Sequence, residues 1–346
     1  MVHDTEPSLQ WKFHSTPVLD VKAATDKIRK GESSHTFQGG ELGLVSRYDA
    51  VQVASNSPIE DVAVSSKVDV GNGQTWHAWA IYDGHSGRQT AAVLAHSLIP
   101  YVERSLQAHF KSPSPSGDID SAIIAAFTSL DDEIIADGVA ALGTAKSHAE
   151  VQARVAPSYA GSCALLVLYD PVQSVIYVAN AGDSRAVLGS RTSANDKLES
   201  VALSTDHTPY NAAEAERIKG LHPDEPNLIT KRDGDVSSED AVYGVGKWLE
   251  SVKTGTLAAI GSGNAVSVGG GPAVDEHAER ISFWEYWKTK SEWFVYEDDN
   301  AATHLVKNAF GGRQRQLFTG VMTVDTPVSK TMRDDVTVQV VFFGEI

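Results

Sequence analysis

Ala80-Ile81-Tyr82-Asp83-Gly84-His85-Ser86-Gly87 is the stretch from which the fold is read. An apolar run ends in an acid, a glycine and a histidine, and a helical pattern begins just after it. Trp76–Tyr82 is apolar enough for a buried strand, whereas Leu94, Leu98, Tyr101, Val102 and Leu106 recur at the three- and four-residue steps of a helix. A carboxylate and an imidazole therefore stand at a strand end. The rest of the chain is read by asking which distant residues complete a site with Asp83.

Upstream, Leu42–Val53 has partial strand character, and Glu60-Asp61 follows the turn at Ser57-Pro58. Val62, Val64, Val68 and Val70 then alternate as in a strand, closed by Gly71-Asn72-Gly73. Downstream, a second helix starts near Asp118 with the apolar stripe Ile119, Ile123, Phe127, Leu130 and Ile134. Gly161–Asp170 and Ser174–Asn180 read as strands, and Ala186–Gly189 continues as strand after the turn at Gly182-Asp183-Ser184-Arg185. Helices are expected over Asn211–Leu221, capped by Asn211, over Ser238–Ser251, and over Asn300–Phe310, ended by Gly311-Gly312. Val336–Phe343 is the final strand. Antiparallel hairpins alternating with helices predict an α+β sandwich rather than a doubly wound parallel sheet. Residues 1–34 read as an N-terminal arm with one helix near Val21–Lys30; residues 35–346 read as one domain, with a flexible Gly-rich insertion at 253–280. The aromatics from Trp284 to Trp293 fit either a helix buried against the body or a docking surface.

The formal charge of −16 argues against nucleic acid and anionic membranes as partners. No apolar run reaches the ~18–20 residues that span a bilayer, and Met1–Glu6 has no secretory character. The expected location is cytoplasmic, or mitochondrial if the N-terminus is incomplete. The single cysteine, Cys163, lies in an apolar run and reads as core packing rather than a nucleophile.

Glu60-Asp61, Asp83, Asp183 and Asp334-Asp335 all fall at strand ends or turns. Carboxylates, carbonyls and water suit hard cations, Mg²⁺ or Mn²⁺. Two such ions activate a water and clamp the oxygens of an in-line phosphoryl displacement, and a neighbouring histidine can protonate the leaving oxygen. Singly, each aspartate is also an ordinary turn former.

Taken in order, Ser57-Pro58-Ile59-Glu60-Asp61, Tyr82-Asp83-Gly84-His85-Ser86-Gly87, Gly161-Ser162-Cys163-Ala164, Val178–Leu188, Ser204-Thr205-Asp206-His207-Thr208 and Arg333–Val338 resemble the type 2C metal-dependent serine/threonine protein phosphatases. Pro58-Ile59-Glu60-Asp61 and Asn300–Leu305 look most like the pyruvate dehydrogenase phosphatase branch and its fungal relatives. The resemblance implies two central antiparallel sheets flanked by helix pairs, a phosphoprotein substrate and two Mg²⁺ or Mn²⁺ ions. It assigns Asp83 to both metals, Gly84 (carbonyl) and Glu60 to one, and Asp334 to the other. Asp61 would hold water of the metal centre, His85 would be the general acid, and Asp183 would be an outer or third-metal ligand. Where many relatives have a phosphate-binding arginine this chain has Asn56, with Arg47 as a substitute to be located.

One departure is larger. Relatives carry a strand with an "SRAFGD"-like motif and then an "ATDGLWD"-like metal motif before the helix that resembles Ser237–Val242. Here Thr230–Val236 runs directly into that helix, so a stretch on the order of 80–100 residues is missing and the sandwich is expected to lack some strands. Asp233 is either a remnant of the lost ligand or part of the preceding turn. Two functions follow: a phosphoprotein phosphatase hydrolysing phosphoserine and phosphothreonine by metal-activated water, or a pseudophosphatase that uses the old cleft as a binding and regulatory module.

Overall fold

A computed structural model describes residues 17–38, 40–71, 73–112, 118–191, 199–225, 248–249, 251–253 and 293–344. Its centre is a pair of stacked antiparallel sheets. One has the order β1-β2-β11, from Glu32–Thr36, Val45–Val53 and Val336–Phe343. The other has the order β3-β4-β7-β8, from Val62–Gly71, Gln74–Tyr82, Ala164–Asp170 and Val175–Ala181.

The two-residue period of β4 sets the layering. Trp76, Ala78, Ala80 and Tyr82 face outward into a core with α2 (Gln89–Lys111) and α3 (Ile119–Thr144), where they meet Leu98, Val102, Leu106, Ile123 and Leu130. Trp79, on the opposite face, packs between the sheets, its ring 6.3 Å from that of Tyr48 on β2. The outer face of the first sheet offers Val51, Val53, Val336 and Val338 to α1 (Val21–Arg29), α6 (Ala301–Ala309) and α7 (Arg315–Thr323). The result is four layers, helices outside and sheets within, as the α+β reading requires.

Several local expectations are revised. The segment read as an arm joins the body from Val21 on: Ala24 and Ile28 are fully buried, and β1 pairs along β2. The helical pair α2–α3 is followed by a third helix, α4 (His148–Tyr159), capped by Ser147. The strand read as Gly161–Asp170 is divided at Cys163. Its first part, β6 (Gly161–Ser162), pairs with β5 (Gly84–His85) rather than continuing along β4. β9 (Val187–Ser190) leaves the sheet and pairs with β10 (Glu199–Ala202). The helix over Asn211–Leu221 forms as α5 (Ala212–Leu221), with Asn211 as its cap. All but Lys253 of the insertion at 253–280, Asp233, most of the helix expected over Ser238–Ser251 and almost all of the Trp284–Trp293 segment lie outside the described residues.

Candidate metal centre

Strand register builds the site. Val62 lies opposite Tyr82, so Asp61 and Asp83 leave the same end of β3 and β4 as neighbours. Val53 lies opposite Val336, which brings Asp334-Asp335 against Ser55-Asn56. Ala164 lies opposite Ala181, which sets Cys163 beside the Gly182-Asp183 turn. Four chain segments thus deliver carboxylates to one end of the sandwich.

Asp335 organises the loop before β3. Its carboxylate accepts from the backbone N–H of Ser55, Asn56 and Glu60 at 2.5, 2.9 and 2.8 Å. Burial alone would raise its pKa, but these bonds outweigh burial and hold it low. Asn56 Nδ2 donates both to Asp335 (2.9 Å) and to Glu60 Oε2 (3.2 Å), and Lys330 Nζ lies 3.0 Å from the same Glu60 oxygen. Gly84 passes so close to Glu60 that a Cβ would sit 2.6 Å from its carbonyl oxygen, so only glycine fits at that crossing.

Asp61 and Asp83 behave differently. Burial pushes the Asp61 carboxyl up to about 7, the bond donated by Thr337 Oγ1 (2.7 Å) opposes this, and the charge of Asp83 adds to it. Burial, then the charges of Asp334 and Asp183, push Asp83 up to about 6, with His85 opposing. Asp83, Cys163 and Asp183 offer ligand atoms that lie within 4.8 Å of one another. Cys163 Sγ donates to Asp183 Oδ1 at 3.2 Å, and burial pushes its thiol up to about 12, so it serves as a protonated donor. It is half-buried beside the site rather than in the core. Asp61 and Asp83, which resist ionisation through burial and the charges around them, fit a site for a hard divalent cation, which would supply the missing positive charge.

His85 is exposed at the rim. Its position is fixed by the β5–β6 pairing, in which it lies opposite Gly161. A Cβ at residue 161 would overlap the imidazole ring itself.

The structure therefore gathers Glu60, Asp61, Asp83, Gly84, His85, Asp183 and Asp334 at one sandwich end. Arg47 is elsewhere. It lies on β2 opposite Phe342, six residues or about 20 Å along the strand from Val53. Its guanidinium bonds Asp49 (2.8 Å) and the Asp299 carbonyl (2.5 Å) and covers the Trp248 ring. Thr337, Lys330 and Gly161 carry no signal in the sequence that marks them as site residues, and Asn56, named only as standing in place of an arginine, holds Glu60 and Asp335. The Asp334-Asp335 doublet was visible; that its second member would bind backbone rather than cation was not.

The protein phosphatase 2C family model matches residues 54–236. A protein phosphatase 2C homolog of Schizosaccharomyces pombe is 30% identical, over 95% of this chain and 86% of its own length. The mitochondrial [pyruvate dehydrogenase [acetyl-transferring]]-phosphatase 1 of Saccharomyces cerevisiae is 28% identical, over 96% of this chain and 74% of its own. The human mitochondrial [pyruvate dehydrogenase [acetyl-transferring]]-phosphatase 2 is 25% identical, over 66% and 50%.

Proposed function

The chain belongs to the protein phosphatase 2C family, and from that premise we propose how its residues carry out serine/threonine phosphoprotein hydrolysis. The observation that carries the reading is the convergence of Glu60, Asp61, Asp83, Asp183 and Asp334 on one sandwich end, with Asp61 and Asp83 held above the usual carboxylate range. Glu60, Asp83, the Gly84 carbonyl and Asp334 would hold the metal, with Asp183 at its edge. When bound, Mg²⁺ or Mn²⁺ would supply activation of the attacking water and charge stabilisation for the phosphoryl oxygens. Asp61, fixed by Thr337, orients water at the buried side. His85, at the exposed rim, gives a proton to the departing serine or threonine oxygen.

We also infer that an internal stretch is missing after Val236. The family match stops at residue 236. The alignment with the fission yeast relative runs over 392 positions, to which this chain supplies 95% of its 346 residues. About 60 positions (392 less about 329) therefore face gaps in this chain. Transcript sequencing across codons 236 and 237 tests this: in-frame sequence between them contradicts the gap.

The substrate is a phosphoprotein. No described helix is long and apolar enough to cross a membrane. The activity test is release of inorganic phosphate from a phosphothreonine peptide with added Mn²⁺. The reading requires a rate well above that of Asp83→Asn. Equal rates contradict it and favour the pseudophosphatase.

A further inference from the structure

We propose that the Lys330 ammonium is a built-in cation that occupies the Glu60 side of the carboxylate cluster and competes there with metal. The inference rests on the phosphatase reading of that cluster and concerns what this chain adds to it.

Lys330 Nζ lies 3.0 Å from Glu60 Oε2, with the lysine side chain half exposed and the glutamate largely buried. The acids that face the ammonium come from separate segments: Glu60 before β3, and Asp334 and Asp335 before β11. Their combined pull, led by the bond to Glu60, raises the lysine pKa. The backbone that delivers it is fixed. Lys330 sits in the single turn Val328–Thr331, where fully buried Ser329 donates through Oγ to the Ser55 carbonyl at 2.6 Å. Ser55 directly precedes Asn56, whose amide holds the same Glu60 oxygen. The lysine and its glutamate are thus tied to one folded unit, while the tetramethylene stem leaves the ammonium free to swing outward.

An exposed lysine–glutamate pair contributes little to stability. Its weight here is electrostatic. A divalent ion on Glu60 must displace the ammonium or share the carboxylate with a positive charge a few ångströms away, which is repulsive. Metal at the Glu60 side is therefore coupled to withdrawal of Lys330.

The test is Mn²⁺ titration calorimetry on the full chain at pH 7.5, comparing wild type, Lys330→Met and Lys330→Arg. The weakest Mn²⁺ step should tighten about tenfold in Lys330→Met, equivalent to about 1.4 kcal/mol. Lys330→Arg should stay near wild type. The Mn²⁺-induced rise in unfolding midpoint, which also reports that the variant is folded, should be larger in Lys330→Met. Equal affinities and equal midpoint shifts in wild type and Lys330→Met overturn the proposal and leave the metal centre standing. No saturable Mn²⁺ binding in any of the three overturns both.

Discussion

Glu297 and Asp61 are equally buried, each 5% exposed, yet their carboxyls are driven in opposite directions. Burial would raise both. At Glu297 the Arg315 guanidinium and the Lys307 ammonium outweigh burial and hold the pKa low. Lys307 is itself fully buried, 2.9 Å from Asp298 and 3.3 Å from Glu297. That network beside α6 balances its charge from within the chain and ties α6 and α7 to the segment that precedes them. At the sandwich end, Asp61 accepts one hydrogen bond from Thr337, neither Asp61 nor Asp83 meets much positive charge, and their pKa values rise to about 7 and about 6. Charge balanced within the chain marks a structural region. Charge left unbalanced marks a region that takes its cation from outside.

The comparison breaks most sharply at Lys307. Lys307→Met leaves Glu297 and Asp298 buried without their ammonium and should cost about 3–5 kcal/mol in urea unfolding. Mn²⁺ should not restore it. Asp83→Asn should do the reverse. It should lower Mn²⁺-dependent phosphate release at least about a hundredfold, since even outer partners of metal ligands cost 10–100-fold. Metal-free stability at pH 7.5 should hold or rise, because a buried, poorly compensated charge is removed. Gly161→Ala tests the rim: the added Cβ displaces the His85 ring. A phosphothreonine peptide should lose roughly tenfold or more in rate, whereas p-nitrophenyl phosphate, whose leaving group needs no acid, should lose much less. Equal losses on both substrates would place Gly161 in general folding instead.

The smallest effect is on pH dependence. Asp61 and Asp83 protonate at about 7 and about 6 when folded, against an ordinary 3.8. Between these values the folded chain binds more protons, so stability falls as pH rises. His77, which burial pushes down to about 4 from 6.5, slopes the other way between those values. With two groups against one, the metal-free chain should melt a few degrees higher at pH 5.5 than at pH 7.5, about 2–4 °C. Asp61→Asn should flatten that slope; an unchanged slope would remove Asp61 as its source.

Much of this was legible in the sequence because alternation and turn chemistry act locally. The apolar run Trp76–Tyr82 marked a buried strand, and Asn300 announced the start of α6. The six acidic residues Glu60, Asp61, Asp83, Asp183, Asp334 and Asp335 could be named from their places at strand ends or turns. What was not legible depends on register. Val53 opposite Val336 turns Asp335 into a backbone clamp and sends Lys330 to Glu60. The same register strands Arg47 far from the site, where it pairs with Asp49. The division at Cys163 arises because Gly161–Ser162 finds a partner in Gly84–His85, a pairing that local pattern cannot show.

The most direct test of unbalanced charge at the sandwich end is the unfolding midpoint of the metal-free chain at pH 7.5, with and without Mn²⁺. The account predicts a clear Mn²⁺-dependent rise in wild type that is absent in Asp83→Asn. A midpoint indifferent to Mn²⁺ in wild type, or a rise equally large in Asp83→Asn, would contradict it.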